Sequence, residues 1–179
     1  LTYTGFQADP ATAFVTSLDG LLAALDDSEI NTIVLAADLD LSDAEWIPIG
    51  TAEDPFTGTF DGNGKTISGL KISSGDYAGF FGYVSDAAIR NIILEDVNMS
   101  GGQRMGGLAG TIVGDAVVEN CTVTGVVTGS DSNTGGLIGE IVNGTVQLTA
   151  LMNSAAVTNT KASNSRAGGI VGQVTTNAN

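Results

Sequence analysis

Three carboxylates, those of Glu53, Asp54 and Asp61, lie close enough in the sequence to suggest acid–base chemistry on a sugar. Glycoside cleavage uses two such groups on either side of the scissile bond, and the two must converge in a cleft. No part of the sequence repeats these acids or concentrates them with a basic residue. We therefore interpret them as solvated loop acids, predict that the chain is not an enzyme, and assign no catalytic residue.

Metal and thiol chemistry have as little support. Asp61-Gly62-Asn63-Gly64 lacks the spaced carboxylates and terminal Glu of an EF-hand, so we predict a tight turn between two strands and leave adventitious calcium binding open. The chain has no His and a single Cys, which excludes the usual zinc sites and His-based proton relays. Cys121 is predicted to be a small buried apolar residue, and we expect no cofactor and no metal site.

Aromatic residues supply the candidates for ligand binding. Trp46 and Phe56, with Pro48 between them, could form a platform for a sugar ring, although a lone Trp at a strand end also packs commonly into a core or cap. Phe81 and Tyr83 are further candidates, because strand alternation places both on an outer face. An apolar outer position at Phe81 predicts either a covering partner or a bend that turns this position inward.

Charge limits the partners. Twenty acidic against six basic residues give a formal net charge of −14, which disfavours nucleic acids and anionic lipid surfaces. No apolar run is long enough for a membrane span, so we predict no membrane insertion by this segment. Leu1 opens no signal-peptide pattern, which favours a processed or truncated chain.

The sequence repeats a glycine-punctuated block at intervals of about 28–33 residues, which is typical of a solenoid. Strand-like segments rich in β-branched residues follow the blocks, so one period contains about three short strands. The chain has 25 glycines and only three prolines, as expected for structural turns rather than disorder. The blocks are Ala78–Val84, Gly106–Ile112, Gly135–Ile141 and Gly168–Val174.

Stacking of the blocks predicts columns of equivalent side chains. Two columns are apolar and are expected to face the core: Phe80, Leu108, Leu137, Ile170 and Val84, Ile112, Ile141, Val174. A third column is polar and is expected to face water: Tyr83, Thr111, Glu140, Gln173.

A corner is predicted at Asn91 and Asn120, where Asn tolerates the left-handed backbone and stacked amides can bond from coil to coil. In the next coil we align Leu148 with these residues, so the ladder should stop there. The same alignment places Thr122 beside Ala150, which excludes the flat threonine array of an ice-binding surface.

The two ends of the chain differ. An amphipathic helix with Asp9 as N-cap and Pro10 in its first turn is predicted to use Phe14 and Val15 and to cap the first coil. The first strand is expected at residues 32–41, which divides the chain into a capping segment, 1–30, and β-helix repeats, 31–179. We expect the last coil to be incomplete, so that the natural protein continues past Asn179 or another chain closes this end.

Trp46-Ile-Pro-Ile-Gly50, Pro55–Leu70 and the Gly-Gly-Leu-x-Gly blocks resemble the GLUG-motif repeat family of bacterial surface proteins over roughly residues 30–174. The resemblance implies a right-handed parallel β-helix of the kind found in adhesins and in non-catalytic regions of IgA-specific metallopeptidases. The third repeat departs from the family pattern at Leu148 and Met152-Asn153.

We therefore predict an all-β chain, a right-handed parallel β-helix of about five coils with a short N-terminal capping helix. The predicted function is a non-catalytic adhesion or display module, secreted or on the cell surface of a bacterium, whose partner is a protein or glycan of a host or neighbouring cell. The alternatives are a carbohydrate-binding or carbohydrate-degrading β-helix and a structural spacer for another domain.

Overall fold

Neighbouring strands pair in parallel, with partners roughly one repeat apart in the sequence. The structure is a computed structural model and describes residues 11–73 and 75–176. Within these residues the chain forms a parallel β-solenoid of about five turns with one short helix, which confirms the predicted fold class.

Four parallel sheets form the sides of the solenoid. Sheet A contains Thr12–Val15 (β1), Thr32–Leu35 (β2), Thr59–Asp61 (β4), Ala88–Arg90 (β8), Ala116–Glu119 (β12) and Val146–Thr149 (β16). Sheet B contains Leu39–Asp40 (β3), Thr66–Ser68 (β5), Ile93–Gly101 (β9), Thr122–Gly129 (β13) and Met152–Asn159 (β17), and Lys71–Ile72 (β6) pairs with β9. Sheet C contains Phe81–Ser85 (β7), Ala109–Val113 (β11), Ile138–Val142 (β15) and Val171–Thr175 (β19). Sheet D contains Met105–Gly106 (β10), Asn133–Gly135 (β14) and Arg166–Gly168 (β18).

The predicted apolar columns form the core. Sheet C pairs Val84 with Ile112 and Ile112 with Ile141, and all three side chains are buried. The final member of this column, Val174, is 63% exposed because no described coil lies beyond it. The other predicted column is also correct, with three fully buried members and one partly buried member in the last coil: Phe80, Leu108, Leu137 and Ile170.

One prediction about the outer face of sheet C is wrong, and the structure decides between two alternatives for another position. Thr111 and Glu140 were expected to face water, but both are buried, because the neighbouring strands of sheet D and the residues before them cover this side. Phe81 is fully buried and its ring contacts that of Phe80, which agrees with the second alternative, an inward position.

The helix begins later than predicted. It spans Leu18–Asp26 (α1), and the hydroxyl of its N-cap, Ser17, accepts a hydrogen bond from the Gly20 amide. Phe14 lies in β1, which pairs with β2, so the first strand also precedes the one predicted at 32–41. Asp9 and Pro10 lie outside the described residues. Leu21, on the buried side of α1, packs into the core at the N-terminal end of the solenoid.

Carboxylates hold the corners between successive coils. The Asp38 side chain accepts a hydrogen bond from the amide of Thr66, and Asp86 accepts one from the amide of Asp115. Asp115 in turn accepts from the amide of Thr145, at 2.7 Å. Hydrogen bonds from the Asp115 amide and from the hydroxyl of Ser85 lower the pKa of Asp86. Several acidic residues of this chain therefore join one coil to the next.

Candidate functional site

The corner between sheets A and B forms a shallow groove of about 520 Å³. Its lining residues come from four successive coils, so the groove runs along the solenoid axis rather than along a strand. Among the described residues that line it, none is ionisable. We call this surface the amide groove, and it comprises Asn63, Gly64, Asn91, Ile93, Asn120, Thr122, Ala150 and Met152.

Left-handed backbone at the corner creates the amide groove. Asn91 and Asn120 have φ values of 55° and 51°, which confirms the predicted corner. Asn63 and Gly64, with φ values of 50° and 68°, form the predicted tight turn between β4 and β5. Ala150 takes the same left-handed conformation, with φ of 52°, although its Cβ disfavours it.

The side-chain amides form a ladder along the floor of the amide groove. Asn91 Nδ2 donates to Asp61 Oδ1 at 2.9 Å, and Asn120 Nδ2 donates to Asn91 Oδ1 at 3.2 Å. Partial burial raises the pKa of Asp61, but hydrogen bonds from Asn91, from the Asn63 amide and from Arg90 outweigh it and leave that pKa below its ordinary value. Asp61 is therefore an ionised acceptor at one end of the ladder.

The ladder ends in the predicted coil, but the residue at which it ends is Ala150 rather than Leu148. Sheet A pairs Glu119 with Thr149, so the residue equivalent to Asn120 is Ala150 and not Leu148. Sheet B pairs Thr122 with Met152, not with Ala150. This register still leaves no extended threonine array on the described part of sheet B, because Thr122 has Met152 on one side and Ile93 on the other.

A second polar cluster lies over sheet C, where residues of the predicted polar column meet Arg104 and Tyr77, which the sequence did not suggest. The Arg104 guanidinium lies 4.8 Å from the centre of the Tyr77 ring, and its Nη1 donates to the Tyr77 hydroxyl at 3.0 Å. Arg104 Nε also donates to the carboxylate of Glu140 in an ion pair. Burial lowers the pKa of Arg104, but Glu140 more than offsets this and raises it. Thr111 adds a buried hydroxyl for which the described residues offer no hydrogen-bond partner.

The predicted aromatic candidates lie in different environments. Trp46 is 7% exposed, its indole stacks on Phe80 at 4.8 Å, and its Nε1 donates to the Phe80 carbonyl. Phe81 is fully buried and contacts Phe56, whose ring is partly exposed. Tyr83 is partly exposed and lies 6.0 Å from Tyr77 between ring centres. The structure therefore brings Tyr83 into the second polar cluster, beside Tyr77 and Arg104, and it places the indole face of Trp46 inside the core.

The groups considered for chemistry do not converge. Glu53 and Asp54 are exposed in the loop before β4, while Asp61 bonds to Arg90 at 3.0 Å and to the ladder. Within 11–73 and 75–176, no three acidic or Cys side chains are grouped to hold a metal ion. Cys121 is fully buried, and burial raises the pKa of its thiol to about 11, so it is a poor nucleophile. No helix in the described residues is long and apolar enough to cross a membrane.

These features define a parallel β-solenoid in which the corner carboxylates, the amide ladder and the Arg104–Glu140 ion pair join successive coils. The chain belongs to the family described as "Putative pectate lyase-like adhesive domain", which it matches over residues 12–163. The more specific GLUG resemblance stays a prediction.

The chain is also similar to one curated protein and to one solved structure. The chain is 35% identical over 127 residues to Halomucin of Haloquadratum walsbyi, an alignment that covers 61% of this chain and 1% of that protein. It therefore matches only a very small part of Halomucin. It is also similar, with a TM-score of 0.46 and 16% identity, to a solved structure described as "a putative immunoglobulin A1 protease from Bacteroides ovatus", covering 91% of this chain and 74% of the other.

Proposed function

We propose that this chain is a non-catalytic adhesive module of a secreted or surface-exposed bacterial protein. Its partner is a protein or glycan on a host or neighbouring cell. The observation that carries the proposal is that the three candidate catalytic acids lie apart. Asp61 is hydrogen bonded within the corner ladder, whereas Glu53 and Asp54 are exposed to solvent. An enzyme would require these groups to converge on one bond.

The family and the fold support the same proposal. Membership of an adhesive-domain family agrees with a binding role. A solenoid also presents a rigid, extended surface, since each coil is fixed by its neighbours and the polar outer positions repeat along the axis. Function then depends on the exposed columns rather than on a closed pocket.

Adhesion can be tested with beads coated with the purified chain and incubated with cultured epithelial cells and with bacterial cells. Beads coated with Leu137→Asp are the control, because this variant differs by one side chain but is expected to destabilise the coils next to position 137. We expect retention of the wild-type beads only, and treatment of the cells with protease or with glycosidases identifies the partner class. Equal retention of both bead types would refute adhesion and favour the spacer alternative.

Catalysis is tested separately. The chain is incubated with neutral and acidic polysaccharides, and new reducing ends and unsaturated products are measured. We expect neither. Release of either product that disappears in Asp61→Asn would overturn the non-catalytic proposal and favour the carbohydrate-degrading alternative.

A further inference from the structure

We infer that the amide groove binds a neutral saccharide chain, with the Asn120 carbonyl oxygen accepting a sugar hydroxyl and Met152 and Ile93 contacting the apolar face of the sugar rings. This inference rests on the proposed adhesive function and names its ligand class. It does not involve Trp46 or Phe81, whose rings pack in the core.

The ionised carboxylate of Asp61 fixes the direction of the ladder. Asp61 can only accept, so Asn91 must turn its NH2 group toward Asp61 and its carbonyl oxygen toward Asn120. Asn120 must then donate to Asn91, as it does, so its own carbonyl oxygen points toward the next coil. Chains of hydrogen bonds polarise one another, which strengthens the acceptor at the free end.

The next coil leaves that acceptor available. Position 150 is the equivalent of Asn120, and its Ala side chain has no group to donate. Asn120 and Ala150 are both exposed, so an external donor can reach the carbonyl oxygen. The ligand must therefore provide a hydroxyl or N–H donor.

The remaining lining residues favour a neutral sugar as that donor. Met152 is 59% exposed, and Ile93 and Thr122 are partly exposed in the same outward column of sheet B. These side chains give an apolar strip beside the amides, and sugar rings present hydroxyls at their edges and C–H groups on their faces. The chain's net charge of −14 opposes an acidic glycan, whereas the groove itself presents no ionisable group among its described lining residues.

The length of the amide groove favours an oligosaccharide over a single sugar. Equivalent residues of successive coils are about 4.8 Å apart, so the three steps from the coil of Asn63 to that of Ala150 span about 14 Å. The ligand therefore lies along the solenoid axis and crosses several strands.

Ala150→Asn provides the decisive variant. An Asn at this corner should extend the ladder by donating to Asn120, and so occupy the acceptor that the sugar needs. Asn also tolerates the left-handed conformation better than Ala, so the variant should be at least as stable as the wild type. Loss of binding would then not reflect loss of fold. Ala156→Asn is the control, because Ala156 is exposed on β17, the strand that follows Ala150, but lies outside the groove.

The experiment measures binding of neutral cello-, manno- and xylo-oligosaccharides and of acidic sialylated and uronate oligosaccharides to the immobilised chain. We expect at least one neutral series to bind, with affinity unchanged in Ala156→Asn and about tenfold lower in Ala150→Asn, the loss of about one hydrogen bond. Binding of no neutral series, preferential binding of an acidic series, or equal affinity in Ala150→Asn would each overturn the inference. If the beads still adhere to cells while no saccharide binds, the adhesive function stands and the saccharide ligand is rejected.

Discussion

Leu137 offers the sharpest test of the stacked core. Its side chain is fully buried, and its backbone is hydrogen bonded to Leu108 on one coil and to Ile170 on the next. Truncation of a buried leucine removes transfer free energy and leaves a cavity, so we expect Leu137→Ala to lower the free energy of unfolding by about 3 kcal/mol. Leu137→Asp should cost more, because it also buries an unpaired carboxylate.

Leu148→Ala is the matched control. Leu148 lies in the same kind of inward column of sheet A, paired with Val118, but it belongs to the terminal coil and is 37% exposed. More than a third of its surface is already in solvent, and no described strand of sheet A covers it, so its truncation leaves no enclosed cavity and we expect a smaller cost of about 1 kcal/mol.

Two signals separate local from global unfolding. Far-ultraviolet circular dichroism reports all strands, whereas fluorescence reports the single Trp, Trp46, which packs against Phe80 two coils away from Leu137. Because each coil of a solenoid contacts mainly its neighbours, we expect Leu137→Asp to lose dichroism at a lower denaturant concentration than it loses the Trp46 signal. An unchanged midpoint in Leu137→Asp, or equal costs for Leu137→Ala and Leu148→Ala, would refute the inward assignment of this column.

Three further predictions concern the polar groups. Arg104→Met should lower the free energy of unfolding by about 2–4 kcal/mol, because it leaves the buried carboxylate of Glu140 without its ion-pair partner. The loss should be somewhat smaller than for a fully buried pair, since the Arg104 side chain is 27% exposed. In chemical denaturation, the double variant that also carries Glu140→Gln should recover much of the lost stability. Because the pKa of Asp61 in the folded chain lies below its ordinary value of 3.8, its ionised carboxylate contributes its full stabilisation above pH 3.8 and loses it as the pH falls through the folded-state pKa. Melting temperatures measured between about pH 5 and pH 2 should therefore fall more steeply in the wild type than in Asp61→Asn. Cys121, with its pKa raised to about 11, should react with a thiol reagent at neutral pH only after denaturation, and rapid labelling of the native chain would contradict its burial.

The sequence predicts the stacked columns well because two periodicities agree at those positions. The repeat aligns Leu108 with Leu137, and the alternation of each strand then decides which neighbours face the core. The Asn91 and Asn120 corner is equally visible, since Asn is one of the few residues that tolerate the left-handed region.

Other features depend on contacts that no local pattern records. Glu140 is buried because Arg104, 36 residues earlier in the sequence, pairs with its carboxylate. Arg104 directly precedes a strand of only two residues, Met105–Gly106, which is too short to show a strand periodicity in the sequence. At the N-terminus, Phe14 and Val15 fit a helical stripe, but parallel pairing of β1 with β2 overrides that preference.

The predicted alignment of the third copy was wrong for a related reason. The turn between sheets C and A lengthens by one residue at each coil: the matched positions are Ser85 and Ala88, then Val113 and Val117, then Val142 and Gln147. Insertions of this kind lie in a turn and leave the strands intact. They shift the alignment of everything that follows, and the residue added here accounts for one of the two positions that separate the predicted Leu148 from the observed Ala150.

The corner carboxylates have a direction, and that direction bears on how the molecule is made. In the pairs Asp38 with Thr66, Asp86 with Asp115 and Asp115 with Thr145, the acceptor always belongs to the earlier turn and the amide donor to the later one. A polypeptide that emerges amino end first thus finds each docking point already built when the next turn arrives. Assembly can proceed one winding at a time, on a template that the preceding winding supplies.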